Sequence, residues 1–183
     1  VNRIQPDAPL FQRLDETKYS GVTPTVKRYF TYSTGIAIAF RTDSRNIYAR
    51  WKTKAEKPGV NMTLIAQTGL DLYIRYNGRW VFAGVGIPGH TLTHQSPIVE
   101  HMDNSLKECL LYLPLFDKVE NLEIGIEAEG FKRNYIKIIS DWVFIYNKGH
   151  KKVTFDYIVH KQVLHRFPAL QAHCTLSVLI SCL

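Results

Sequence analysis

Three histidines, His90, His94 and His101, fall in one stretch rich in Gly and Pro, and their side chains are of a type that can bind a metal or carry a proton. Their spacings of four and seven residues match no ligand pattern backed by carboxylates on a defined scaffold. They read as solvated loop histidines, and the sequence implies no metal and no cofactor. Cys109, Cys174 and Cys182 are odd in number and far apart, which argues against both a disulfide framework and a four-ligand zinc site. Cys109 opens the apolar run Cys-Leu-Leu-Tyr-Leu and is expected to be a small buried hydrophobe. Asp71 stands in a strand-like run with no serine or histidine tied to it by a motif. The expectation is a structural carboxylate that accepts hydrogen bonds from turn backbone or from Arg75. No residue is assigned a catalytic role.

The aromatic residues offer a different chemistry. Trp51 and Trp80 each lie in a strand-like run beside Arg or Lys, an arrangement compatible with a sugar-binding platform, and Tyr76 is close to Trp80 in sequence. The competing reading is a pair of core tryptophans, with Tyr73 and Tyr76 packing on a sheet. Trp51, Trp80 and Tyr76 are therefore candidate ligand or interface residues. Asn61-Met62-Thr63 fits a glycosylation sequon.

The elements that must position these residues are strands. Ile36, Ile38 and Phe40 alternate on one face, and Thr42-Asp43-Ser44-Arg45 is expected to turn the chain back into Ile47-Tyr48-Ala49-Arg50-Trp51 as a hairpin. Leu70 to Tyr76 and Arg79 to Ala83 flank Asn77-Gly78, the dipeptide suited to two positive φ angles in a type I′ turn. From Gly84 to about Asn104 the chain reads as a loop. Glu108 to Leu113 stops at Pro114, and Leu122 to Glu127 alternates again. Residues 136–146 and Lys152 to His160 read as further strands, and Val159 to Leu164 as the start of a short helix. Many short strands with little helical periodicity imply an all-β, jelly-roll-like antiparallel β-sandwich.

The 183 residues, 45% hydrophobic and 12% aromatic, suffice for one domain with a sizeable core. No apolar run is long enough to span a bilayer, Cys174 to Leu183 included, so no membrane role is expected. The N-terminal Val-Asn-Arg-Ile-Gln-Pro has no secretory-signal pattern. The net charge of +7 is unevenly placed: residues 1–130 hold 15 Lys/Arg against 14 Asp/Glu, and residues 131–183 hold 8 against 2. The basic residues do not alternate with stacking aromatics, so nucleic acid is not an expected partner.

Gly69-Leu70-Asp71-Leu72-Tyr73 fits the Gly-x-Asp-Leu-Tyr signature, and the chain around it resembles the N-terminal β domain that precedes the catalytic domain in bacterial SGNH/GDSL-type esterases. Gly35 to Ser44 and Arg50-Trp51 look like that family's early strands, and Asn61-Met62 precedes the signature at a familiar distance. Leu111 to Phe116 and Leu122 to Ile126 look like its later ones. The resemblance covers about residues 10–130. It implies a jelly-roll-like accessory domain whose signature residues Gly69, Asp71, Leu72 and Tyr73 are structural, and whose partner is an SGNH catalytic domain acting on acyl esters, carbohydrate esters among them. Relatives of this kind suggest export.

The family's catalytic domain opens with a strand and a Gly-x-Ser-Ile block that holds the nucleophile. Lys151 to Phe155 resembles the strand, but Asp156-Tyr157-Ile158-Val159 follows without such a serine. Asp156 and His160 are four apart, where the family's acid and base are three apart, and are not taken for that pair. The expected organisation is a β-sandwich at 1–130, final strands or a linker at 131–155, and an atypical tail at 156–183 read out of frame after a gene disruption. On this expectation the chain is truncated before its catalytic domain and has no esterase activity. The alternative is a free-standing carbohydrate-binding module. A severed module also implies exposed apolar surface and self-association.

Overall fold

Along the first two strands side chains point alternately to the two faces of the pleat. In β1 (Ile36–Thr42), Ile36, Ile38 and Phe40 point to the core, and in β2 (Ile47–Thr53), Ile47, Ala49 and Trp51 do. The computed structural model describes residues 9–54, 59–127, 133–137 and 153–160. Seven more strands follow in these residues: β3 (Leu70–Tyr76), β4 (Arg79–Gly86), β5 (Thr93–Val99), β6 (Lys107–Tyr112), β7 (Val119–Glu127), β8 (Arg133–Lys137) and β9 (Val153–His160). Short helices α1 (Pro24–Phe30) and α2 (Leu64–Thr68) and a 3-10 turn at Glu16–Lys18 complete the described elements.

The strands form two antiparallel sheets, one ordered β4-β3-β6-β1-β9 and the other β5-β2-β7-β8. Only the β3–β4 and β7–β8 steps stay within a sheet; the others cross between layers. The all-β sandwich read from the sequence is the observed architecture. Its core joins Ile38, Phe40, Leu72 and Leu111 of one sheet to Trp51, Leu122, Ile124 and Ile126 of the other, each at most 1% exposed.

Asn77 and Gly78 adopt φ of 48° and 77° and set Tyr76 opposite Arg79, so the Asn-Gly hairpin is present as expected. The hairpin expected between β1 and β2 is not. β1 pairs with β6 and β9, while β2 pairs with β5 and β7, so residues 43–46 form a corner between the sheets. Polar side chains hold that corner: Thr42 Oγ1 accepts from the Ser44 amide, and Ser44 Oγ donates to the Asn46 carbonyl while accepting from the Glu127 amide. The physical reason is burial. Both strands are apolar toward one core, and placing them in facing sheets lets both fill it.

The loop expected from Gly84 to Asn104 contains a strand. β5 alternates with His94, Ser96 and Ile98 buried, and it is the edge of its sheet, where Pro97 removes no ladder bond that the fold needs. Val159 and His160 belong to β9 rather than opening a helix, as the strand reading of Lys152 to His160 required. β8 reaches Lys137; residues 138–152 and 161–183, with the rest of the expected strand 136–146 and most of the tail, lie outside the described residues. The boundary drawn at 155 falls within β9.

Candidate functional site

The two outer faces of the sandwich differ in chemistry. On the four-stranded sheet, Arg50, Lys52 and Tyr48 of β2 face outward beside Gln95 and Thr93 of β5 and Glu123 and Asn121 of β7. Arg50 pairs with Glu123 at 3.2 Å, and Lys52 pairs with Glu120 at 2.9 Å. That is the polar exterior normal for an antiparallel sheet with one wet side.

The five-stranded sheet departs from that pattern. Cross-strand register puts Ala37, Tyr112 and Asp71 in one outward row, and Ala39, Leu110, Tyr73 and Phe82 in the next. The third row is Arg41, Glu108, Arg75 and Trp80 in β1, β6, β3 and β4. Tyr73 lies edge-on to Phe82 at 5.8 Å and to Tyr112 at 5.6 Å between ring centroids. Burial, with the Tyr73 phenol beside it, holds the Tyr112 hydroxyl above the usual tyrosine range. The Glu108 carboxylate accepts from Arg41 at 3.0 Å and from Arg75 at 3.2 Å. Phe82, 55% exposed, stands on the edge strand of this patch.

The three candidate aromatics do not form one platform. Trp51 is in the core with no exposed area, and its indole N–H donates to the Thr68 carbonyl at 2.8 Å. Tyr76 and Trp80 fall on opposite faces of the hairpin, because Tyr76 lies opposite Arg79 and Trp80 opposite Arg75. Only Trp80 faces the patch, and Phe82, Tyr112, Leu110, Arg41 and Glu108 join it without having been singled out from the sequence. The Asn-Gly turn carried a usable signal: fixing the turn fixes the register, and the register places Trp80 with Arg75 and not with Tyr76.

His94 is not a loop histidine. It is 1% exposed, its ring packs 5.1 Å from that of Trp51, and its Nε2 lies 2.9 Å from Thr53 Oγ1. Burial lowers its pKa, opposed by the Gly89 backbone and the charge of Asp117. This hydroxyl–imidazole pair lacks what catalysis needs, because neither Thr53 nor His94 presents area that a substrate could reach. His101 and His90 are exposed, and no group of three or more His, Cys, Asp or Glu among the described residues is placed to hold a metal. No helix among the described residues is long and apolar enough to cross a membrane.

Comparison with known proteins decides the family. The profile of GxDLY, the N-terminus of the SGNH hydrolase-type esterases, matches residues 2–130. The chain belongs to the GxDLY family. A GDSL-like lipase from Bacteroides ovatus, known from a crystal structure, is 43% identical over 75% of this chain, with a TM-score of 0.66. The chain spans 40% of that lipase's length. No curated protein matches it.

The GxDLY signature divides into two kinds of residue. Gly69 caps α2, its N–H donating to the Ile65 carbonyl at 3.0 Å, and a Cβ there would stand 2.5 Å from the same oxygen. Leu72 has no exposed area and fills the core. The sandwich itself requires both. Asp71 and Tyr73 alternate to the outer face, half-buried, in the rows that hold Tyr112 and Phe82. Arg75, named with turn backbone as a candidate partner of Asp71, forms an ion pair with Glu108.

Proposed function

We propose that this chain is a non-catalytic accessory domain of an SGNH/GDSL-type esterase, serving hydrolysis of acyl esters by packing beside the hydrolase domain and shaping its substrate entrance. The observation that carries this reading is the match of residues 2–130 to the part of the family that forms the N-terminus of the esterase. The buried Thr53–His94 pair supports it, since a serine-hydrolase mechanism requires a nucleophile that substrate can reach. Turnover of p-nitrophenyl acetate by the purified chain is the test, with the full-length Bacteroides lipase as positive control. The expected rate equals that of buffer; turnover abolished by a serine-directed inhibitor would overturn the reading.

A second reading, a free-standing carbohydrate-binding module, is favoured by one feature: Phe82 is exposed on the face that also carries Trp80. Saturable quenching of tryptophan fluorescence by oligosaccharides, lost in Trp80→Ala, would support it. An unchanged spectrum would remove it.

A further inference from the structure

We infer that the outer face of the five-stranded sheet, centred on Tyr73, Trp80 and Phe82, is the surface that docks onto an SGNH-type hydrolase domain; this rests on the accessory-domain reading above. Three observations converge on it. The first is the asymmetry of the two exteriors. Lys52, Arg50, Glu123 and Gln95 give the four-stranded sheet a wet face, whereas on the five-stranded sheet Ala37 and Leu110 are already covered and the aromatic side chains of Tyr73, Tyr112, Trp80 and Phe82 keep exposed area beside the paired charges. Aromatic side chains left part-exposed together on one sheet face make a surface that a partner can cover.

The second is the division within the signature. The sandwich alone accounts for Gly69 and Leu72, but it does not require an acid and a phenol pointing outward at positions 71 and 73. Both stand on this face, and the family they define is the N-terminus of an esterase. The third is charge. Among the described side chains the face carries two guanidiniums, Arg41 and Arg75, and two carboxylates, Asp71 and Glu108, so these groups can leave water together without a net charge. The occupant is identified by what the relative adds: more than half of the Bacteroides lipase lies beyond the part this chain matches, and that part must pack somewhere. Aromatic side chains beside arginines are a composition that protein interfaces favour.

The test uses the whole 183-residue chain mixed with the unmatched segment of the Bacteroides lipase, whose own turnover of p-nitrophenyl acetate first establishes that it is folded. Affinity is read by calorimetry and the footprint by hydroxyl-radical labelling. The inference expects protection at Tyr73, Trp80 and Phe82, with Phe82→Ser weakening binding on the order of tenfold or more. Gln95→Ala on the opposite face should leave the affinity unchanged. Phe82 is already exposed, so its loss leaves the fold intact, and unchanged circular dichroism checks this. Binding with protection on the Arg50 face, or at the exposed Ile65, Ile87, Leu115 and Phe116, would overturn the inference while leaving the accessory-domain reading standing. No binding to the active segment would overturn both.

Discussion

Gly69→Ala tests the physical account of the family signature at its first residue. An alanine Cβ would sit 2.5 Å from the Ile65 carbonyl oxygen and 3.3 Å from that of Gly86, and both neighbours are backbone. Relief requires the end of α2 to move by a sizeable fraction of an ångström, yet Gly69 N–H is bonded to that same Ile65 oxygen and Leu70 is already in the ladder opposite Gly86. Overpacking of this kind costs about 1–3 kcal/mol, and opening the cap bond adds about 1 kcal/mol. The stiffer unfolded chain returns about 0.4–1 kcal/mol. The net expectation is a loss of about 2 kcal/mol. With a urea m-value of about 2 kcal/mol/M, the unfolding midpoint should fall by about 1 M at constant m. Gly89→Ala is the internal control, because a Cβ there meets nothing within 4 Å. Urea titration of both variants, followed by fluorescence and circular dichroism, decides the matter. If Gly69→Ala unfolds within about 0.3 M of Gly89→Ala, the close approach does not explain the glycine.

Trp51→Phe removes the indole donor from the buried Thr68 carbonyl and leaves a gap beside Gly86, so it should cost about 2–3 kcal/mol in denaturant unfolding and delete a buried component of the emission spectrum. The Cys109 thiol is pushed up to about 12 by burial, which leaves on the order of one thiolate in ten thousand at pH 8. Peptide-level mass spectrometry should find Cys109 unalkylated in the folded chain and alkylated in urea. His94 has its pKa lowered in the folded state, so the stability its neutral form contributes is complete above the unfolded value of 6.5 and is lost as pH falls through the folded value. Urea midpoints measured from pH 7.5 to pH 5 should therefore decline for the wild-type chain, and His94→Gln should flatten that decline.

Strands were legible in the sequence because a period of two records burial directly, but their partners were not. Ile36-Ile38-Phe40 and Ile47-Ala49-Trp51 carry the same signal whether the chain doubles back within a sheet or crosses to the facing one, and Thr42-Asp43-Ser44 serves either path. The Asn77-Gly78 hairpin was recoverable because its turn chemistry fixes geometry locally. β5 was hidden by Pro97 and by two histidines close in sequence, although His94, Ser96 and Ile98 alternate inward as a strand should. The outward patch was least visible. Tyr73, Leu110 and Phe82 come from three strands, and only long-range register brings them into one row.

The two described sheets end differently, and the difference bears on how copies of the chain would misassociate. Pro97 interrupts the outer rim of β5, so an incoming strand finds no continuous ladder there. β4 is the rim of the other sheet, and its Gly84 end runs so close to the Ile98 carbonyl of β5 that no side chain would fit between them. Of these two rims, the stretch from Arg79 to Phe82 remains open, with Val81 and Phe82 exposed on the two faces of β4. Of the β4 and β5 rims, strand-to-strand aggregation would therefore use those four residues, and Val81→Lys should slow fibril or precipitate growth through that rim without disturbing the core.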